Sequence, residues 1–180
     1  MAILTGTKTE ENLKAAFAGE SQARGRYHYF AVKAREEGHA AVAHYFEETA
    51  VNEQEHAKIW FNLLKGIGTT KENIQVAIDG EHAENSKMYP DFAKVAREEG
   101  LDDIAKMFEN IAAIEVTHEE HLKLLLGKLG SATVVQDGWK CQNCGNLVYA
   151  KTAPTVCPVC SYADIGWTGS KAYKQIKEVV

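Results

Sequence analysis

Apolar residues recur at a helical period from residue 7 to residue 128, and polar residues occupy the positions between them. Glycines and turn residues divide this stretch, so the sequence predicts four helices, over residues 7–37, 40–65, 70–99 and 102–128. Short links join the first helix to the second and the third to the fourth. We therefore expect two antiparallel helical hairpins, called here the first hairpin and the second hairpin.

The sequence also predicts where two of the helices start and which face of the second helix is buried. Thr9 is the predicted N-cap of the first helix, and the run TTKE from Thr69 is a capping-box pattern that opens the third. The apolar period of the second helix predicts an inward face that includes Val42, Ile59 and Leu63.

The chain contains an internal duplication. Residues 30–56 align without a gap with residues 92–118, and both segments contain the run AREEG and end in a Glu-x-x-His pair. The two pairs are Glu53 with His56 and Glu115 with His118. A single Glu-x-x-His pair is a common neighbour pair on a helix surface. A pair repeated within a duplication instead indicates a shared site.

Each copy also has a glutamate directly after a glycine, upstream of its Glu-x-x-His pair. Glu20 lies 33 residues before the first pair and Glu81 lies 34 residues before the second. Seven residues separate Glu81 from Tyr89, whereas six separate Glu20 from Tyr27. A helix can absorb one extra residue as a π-bulge, so we predict one in the third helix, together with a kink near Pro90.

These side chains predict a metal centre inside a four-helix bundle. Carboxylates in an apolar core are costly unless cations neutralise them, and two divalent metals are the simplest compensation. A Glu from each of two helices and a Glu-x-x-His from each of the other two is the pattern of di-iron carboxylate bundles. The candidate ligands are Glu20, Glu53, His56, Glu81, Glu115 and His118.

Glu84 is a further candidate, because it lies three residues after Glu81 where the first copy has Ala23. If Glu84 faces the site, it supplies an extra oxygen ligand that competes with a histidine and lets coordination change with redox state. The alternative is a solvated helix residue. Tyr27 and Tyr89 either hydrogen-bond ligand carboxylates or fill the core.

Other acidic and imidazole side chains lack the paired arrangement. Glu55 and Glu119 flank the ligands but point elsewhere on their helices, so we expect them to be solvated. We expect the unpaired histidines to lie at the surface or around the site: His28, His39, His44, His82 and His121.

Composition narrows the class of protein. The 180 residues, 45% of them apolar and 25% charged, fit one bundle-sized domain plus a small one. A net charge of −5 without a basic block argues against nucleic acid or an anionic membrane as partner. The first residues become polar too soon for a signal peptide, and no long apolar run follows. We therefore expect a cytoplasmic location.

The helical period ends at residue 130, which predicts a domain over residues 1–130 and a small second domain over 131–180. Two C-x-x-C motifs there predict a tetrahedral metal site formed by Cys141, Cys144, Cys157 and Cys160. Ligand type alone leaves zinc and iron open, although a redox-active neighbour favours iron. Trp139, Tyr149 and Trp167 are expected to pack around this site, in a core too small to fold without metal.

Several motifs together resemble those of the rubrerythrin family over essentially the whole chain. They are GESQARGRY, NEQEH, GEHAEN with MYPDFA, IEVTH, and WKCQNCG with CPVC. The resemblance implies an all-α, four-helix ferritin-like bundle followed by a small rubredoxin-like metal-binding domain. It also implies a non-haem di-iron peroxidase that reduces hydrogen peroxide to water in oxidative-stress defence. Electrons would come from NAD(P)H through a separate reductase and pass from the cysteine-ligated iron to the di-iron site.

The resemblance further implies the role of each ligand. Glu53 and Glu115 would bridge two irons, Glu20 would be terminal on one iron, and Glu81 with His118 would bind the other. His56 would exchange with Glu84 as the redox state changes. The residues implied to be catalytic are Glu53, Glu115, Glu84 and His56. The four cysteines would hold a third iron.

The link between the hairpins is too short for a single-chain bundle of this kind. A ferritin-like bundle needs its second and third helices parallel, joined by a long crossover. A crossover would have to run back along roughly 35 Å of helix. Residues 66–69, even when fully extended, span only about 14 Å. Either the third helix begins late and residues 70–79 form the crossover, or hairpins of two chains pair in a domain-swapped homodimer. The capping box at Thr69 favours the homodimer.

Two other functions fit parts of the chain. A ferroxidase or iron-handling protein uses the same bundle, but the cysteine domain argues against it, because storage needs a hollow shell and not an electron carrier. A structural bundle with a zinc ribbon would leave the duplicated acids unexplained.

Overall fold

The computed structural model describes residues 4–130, 135–163 and 171–179. Its helical part consists of α1 (Lys8–Glu36), α2 (Ala40–Leu63), α3 (Thr70–Ala83), a π segment (Glu84–Met88), α4 (Tyr89–Glu98) and α5 (Asp102–Lys128). An antiparallel sheet follows, formed by β1 (Val135–Cys141), β2 (Leu147–Val148) and β3 (Tyr173–Val179) in the order β2–β1–β3. The predicted third helix therefore corresponds to α3, the π segment and α4.

The start of α1 differs from the prediction. Thr7, and not Thr9, is the N-cap, and its side chain accepts a hydrogen bond from the Glu10 backbone N–H at 3.1 Å. The Glu10 carboxylate in turn accepts from the Gly6 N–H at 2.6 Å. Thr7 therefore has an acidic residue three positions later whose carboxylate binds the backbone just before the cap, whereas Thr9 has Asn12 at that position.

The start of α3 confirms the predicted capping box. The Thr69 side chain accepts from the Glu72 N–H, and the Glu72 carboxylate accepts from the Thr69 N–H at 2.7 Å. Because α3 begins at Thr70, the alternative in which residues 70–79 form a crossover is wrong. In the link before α3, Gly66 lies against the Phe61 ring. A side chain there would not fit, because an added Cβ would lie 2.1 Å from that ring.

The predicted π-bulge is confirmed. The π segment Glu84–Met88 lies between Glu81 and Tyr89, where the second copy has its extra residue. The Tyr89 N–H donates to the Glu84 carbonyl, the wide hydrogen-bond spacing of a π-turn. Pro90 follows at the start of α4, where its missing N–H costs least.

The chain divides into two compact units, the first ending at Gly68 and the second beginning at Thr69. The first unit holds the first hairpin, in which buried small residues of α1 and α2 let the helices approach. These residues are Ala31, Ala34, Ala43, Ala50 and Ala57. The second unit holds the second hairpin and the cysteine domain. Its hairpin has a corresponding core of Ala93, Ala96 and Ala105.

Large apolar side chains remain exposed on both hairpins of the single chain. Val42, Ile59 and Leu63, predicted to face inward, are 49%, 50% and 54% exposed, so that prediction is wrong for the single chain. A helical period identifies an apolar face but not the element that covers it. Two helices alone leave part of each apolar face open. No helix among the described residues is long and apolar enough to cross a membrane.

The cysteine domain has a small core built around its metal-binding thiols. Buried Cys141, Cys157, Ala172 and Tyr173 form its centre, and Trp139 packs against them as predicted. Tyr149 is 49% exposed, so its predicted place in the core is wrong. Tyr173 on β3 occupies the core, because the strand pairs it directly with Cys141. Trp167 lies outside the described residues.

Candidate metal centres

The first half-site is formed by Glu20 on α1 with Glu53 and His56 on α2. One ligand atom from each residue lies within 4.8 Å of the other two. His56 Nδ1 lies 2.8 Å from Glu53 Oε2, as the three-residue spacing on a helix allows. The His56 side chain is 52% exposed and the Glu53 side chain 16%. The first hairpin thus brings together all three of its predicted ligands.

The second half-site is formed by Glu81 on α3 with Glu115 and His118 on α5, again with ligand atoms within 4.8 Å of one another. His118 Nδ1 lies 2.7 Å from Glu115 Oε2 and 3.6 Å from Glu81 Oε2. Its side chain is 33% exposed, less than that of His56. Burial, and then the neighbouring Glu115, raise the pKa of Glu81.

The donor set of each half-site fits a divalent iron ion. Each offers two carboxylates and one imidazole, a mixture of ligands that iron accepts. Burial and the neighbouring Glu115, which together raise the pKa of Glu81, both disfavour its charged form, and a bound cation offsets both effects.

Glu84 lies beside the second half-site, at the first position of the π segment, and is half-buried. Among the described residues, the group within 4.8 Å comprises Glu81, Glu115 and His118 and does not include Glu84. Burial, followed by the charges of Glu84, Glu115 and Glu81, raises the pKa of Tyr89. The charge of Glu84 and the charges of the half-site carboxylates therefore act on the same group, the Tyr89 phenol.

The two tyrosines occupy equivalent aromatic clusters. Tyr27 stacks on Phe46 with ring centroids 5.8 Å apart, and Tyr89 lies 6.1 Å from Phe108. Both tyrosines therefore contribute to the packing of their hairpins.

The four cysteines form a third site, with sulfur atoms within 4.8 Å of one another. Cys141 Sγ lies 3.8 Å from Cys160 Sγ, and Cys144 Sγ lies 3.6 Å from Cys157 Sγ. Burial opposes ionisation of Cys157, but hydrogen bonds from the Cys160 N–H and the Tyr173 hydroxyl outweigh it and lower the pKa of Cys157 to about 6. Four converging sulfurs fit a tetrahedral metal ion.

Side-chain donors surround these sulfurs. Asn143 Nδ2 donates to Cys160 Sγ at 3.4 Å. Asn146 Nδ2 donates to the Tyr173 hydroxyl oxygen at 2.9 Å, and that hydroxyl donates to Cys157. Hydrogen bonds to thiolates are one means by which proteins tune the potential of a cysteine-ligated metal.

The cysteine domain approaches the second half-site at His118. Gly145, which directly follows Cys144, has φ +80°, and a Cβ added there would lie 3.3 Å from His118 Nε2. The two nitrogens of His118 thus have different neighbours, since Nδ1 faces Glu115 and Nε2 faces the cysteine loop.

The prediction that Glu119 is solvated is wrong. Glu119 is only 7% exposed, and its carboxylate accepts hydrogen bonds from His82, Asn85 and Lys123. The bonds from Lys123 and Asn85 hold the pKa of Glu119 at about 2. A lysine four residues after Glu119 was a sequence signal, but Asn85 and His82 come from another helical segment. Glu55 is exposed, as predicted.

Comparison with known proteins agrees with this arrangement. The family model described as Rubrerythrin matches residues 11–126, and the one described as Rubrerythrin, rubredoxin-like domain matches residues 139–164. A rubrerythrin of Porphyromonas gingivalis is 42% identical, covering 88% of this chain and 88% of the relative. A rubrerythrin of Nitratidesulfovibrio vulgaris is 38% identical, covering 90% and 94%.

Among solved structures, partially reduced nigerythrin aligns with 97% of this chain and 92% of its own, at 26% identity and a TM-score of 0.47. The two family matches span the helical region and the cysteine domain. Both relatives match most of the chain. The chain therefore belongs to the rubrerythrin family and has the di-iron site and the rubredoxin-like four-cysteine iron site of that family.

Proposed function

We propose that this protein is a non-haem di-iron peroxidase that reduces hydrogen peroxide to water in the cytoplasm, as part of oxidative-stress defence. The observation that supports this most is the presence, in one chain, of two carboxylate–histidine half-sites and a four-cysteine site. An oxidant-reducing site needs repeated delivery of electrons, and a cysteine-ligated iron is an electron carrier. An iron-storage protein has no such need.

When bound, iron supplies two electrons to cleave the O–O bond of peroxide, and the cysteine-bound iron replaces them one at a time. The overall reaction takes up two protons and two electrons and forms two water molecules. The electrons come from NAD(P)H through a separate reductase. The protein residues would hold the irons, allow one ligand position to change and link the two kinds of site.

The ligand roles in this proposal are those that the family resemblance implies, and position and exposure support them. The Glu53 and Glu115 side chains, each three residues before a histidine, are only 16% and 13% exposed, which suits the bridging role that the resemblance implies for them. Glu20 and Glu81 are the terminal acids, and His118 binds beside Glu81. His56 is the more exposed histidine and therefore freer to leave its ligand position. Glu84 would be the carboxylate that replaces it.

His118 is the proposed connection to the cysteine domain. Its Nδ1 faces the carboxylates, and its Nε2 faces Gly145, one residue beyond Cys144. One imidazole ring therefore separates the carboxylate cluster from the loop that carries a cysteine ligand. This short covalent and contact path supports internal electron delivery.

Peroxide reduction is tested under nitrogen with the iron-loaded protein, a reductase and NADH. We expect one NADH oxidised per hydrogen peroxide, and loss of this activity in Glu115→Ala. The control is Glu120→Gln, an exposed acid on the same helix. Rapid oxidation of added ferrous iron by oxygen, without peroxide-dependent NADH oxidation, would support the ferroxidase function instead.

We also propose that the active form is a domain-swapped homodimer, in which the first hairpin of one protomer pairs with the second hairpin of its partner. The short link and the start of α3 at Thr70 support this arrangement. The apolar side chains left exposed on each hairpin supply surfaces for such pairing. Each di-iron site would then contain one half-site from each protomer.

Mixed dimers test the swap. Glu53→Ala chains and Glu115→Ala chains are each expected to be inactive alone. In a swapped mixed dimer, one site receives both substitutions and the other receives neither, so one intact site returns. An unswapped mixed dimer has one damaged half-site in every site and stays inactive, which would reject the swap without affecting the proposed chemistry.

A further inference from the structure

Glu119 is the one buried charged side chain among the residues whose burial the structure describes. Its carboxylate is fully engaged: Asn85 Nδ2 donates at 2.6 Å, Lys123 Nζ at 2.5 Å, and His82 Nδ1 lies 3.1 Å away. A buried carboxylate is tolerated when a cation and hydrogen-bond donors compensate for its lost hydration. Lys123 supplies the charge, but His82 and Asn85 tie Glu119 to a different part of the hairpin.

The residues bound by Glu119 lie next to ligand residues along the chain. His82 directly follows Glu81, and Asn85 directly follows Glu84. Glu119 itself directly follows His118. Each of these three members of the hydrogen-bonded cluster therefore lies one residue after a ligand or candidate ligand of the second half-site.

The cluster also spans the junction between two helix types. His82 lies in the last turn of α3, whereas Asn85 lies in the π segment. A π-turn is rare and occurs mostly as a single turn inserted into an α-helix. Two hydrogen bonds from this junction to one rigid acceptor on α5 stabilise the wide turn at that place.

The first hairpin offers an internal comparison. The duplication aligns Glu119 with Ala57 and Lys123 with Phe61, and Phe61 instead stacks on Phe17 with ring centroids 4.6 Å apart. In that hairpin, α1 runs without a π segment. The extra residue, the π segment and the buried carboxylate thus occur together, in the second hairpin alone among the described residues.

We propose that Glu119 is a positioning residue that holds the π segment against α5 and thereby sets the place of Glu84 beside the second half-site. The part of this inference that concerns iron rests on the proposed ligand role of Glu84. Glu119 acts through Asn85 and His82 and does not touch substrate or metal.

Hydrogen exchange of the metal-free full-length protein tests the structural step. Glu119→Gln keeps the shape of the side chain but removes the charge paired with Lys123. We expect the amides of residues 84–89 to exchange at least about tenfold faster, and Glu120→Gln to leave them unchanged. Equal exchange in both variants would overturn the proposal. Asn85→Ala, which leaves the Glu119–Lys123 pair intact, provides the same test if Glu119→Gln does not fold.

Ferrous iron binding, measured by competition with a chromophoric chelator, tests the positioning step. Glu119→Gln should weaken binding by about tenfold. In a Glu84→Gln background the same substitution should have no further effect, because Glu119 acts through Glu84. An equal loss in both backgrounds would overturn the positioning role. Neither measurement depends on peroxide turnover, so failure of the peroxidase proposal is distinguishable from failure of this one.

Discussion

The two hairpins repeat one design but differ at the metal site. In both, a histidine Nδ1 lies against the glutamate three residues earlier, at 2.8 Å in the first hairpin and 2.7 Å in the second. Only the second has a π segment beside its ligands. Duplication therefore preserved the ligand spacing and the hairpin packing, while one inserted residue changed the surroundings of a single half-site.

The largest difference between the two hairpins should appear in peroxidase activity when the ligand histidine of each is replaced. We expect His118→Ala to lower peroxidase activity by about 100-fold, because this ring contacts two carboxylates and the cysteine loop. His56→Ala should cost about tenfold, since Glu84 remains as a substitute ligand. Iron content and kcat of both variants measure the difference. Equal losses would show that the half-sites are functionally equivalent.

Removing the inserted residue should make the second hairpin resemble the first. Deleting Ser86 gives Glu81 and Tyr89 the spacing of Glu20 and Tyr27, so the π segment should become α-helical. We expect a drop in peroxidase activity of about tenfold, with iron still bound. Glu84→Ala is the matched variant and should give a similar loss. Wild-type kcat in the deletion variant would refute a role for the π segment.

Gly145→Ala should weaken the contact between the cysteine loop and His118. The residue has φ +80°, and the new Cβ would lie 3.3 Å from His118 Nε2. Gly130→Ala is a matched control, because Gly130 has φ +86° but nothing within 4 Å of an added Cβ. Each variant should lose about 1 kcal/mol of stability from backbone strain. Only Gly145→Ala should slow reoxidation of the cysteine-bound iron by peroxide, as followed by stopped-flow absorbance.

The smallest effects should come from the ion pairs that the duplication repeats, Arg35 with Glu47 and Arg97 with Glu109. Each arginine lowers the pKa of its glutamate from the ordinary 4.5. The pairs therefore stabilise the fold above pH 4.5, and this contribution disappears as pH falls through the lowered pKa. Arg35→Met and Arg97→Met should cause small and similar decreases in Tm at pH 7 that shrink in acid. A larger loss in one hairpin would contradict their equivalence.

Local sequence signals predicted most of the helical structure. The capping box at Thr69 and the extra residue before Tyr89 correctly predicted the start of α3 and the π segment, because both depend on nearby residues. Thr9 was the wrong N-cap, since several polar residues near a helix start compete for that role.

Features that depend on distant residues were harder to predict. Glu119 belongs to a cluster whose donors His82 and Asn85 lie more than thirty residues away in the chain, so the nearby Lys123 indicated an ion pair but not burial. The exposure of Val42 and Leu63 likewise depends on what covers the hairpin and not on the helical period. The candidate ligands were visible in the sequence because the duplication marks them twice.

The most direct test is to reduce the iron-loaded protein without oxygen and titrate it with hydrogen peroxide up to about 1.5 equivalents per di-iron site, because three ferrous irons hold three electrons and each peroxide takes two. We predict about three irons per chain, a cysteine–iron absorption that bleaches on reduction, and its return after peroxide. Zinc at the cysteines, or a reduced cysteine site that does not respond to peroxide, would contradict a peroxidase supplied with electrons from its own cysteine domain.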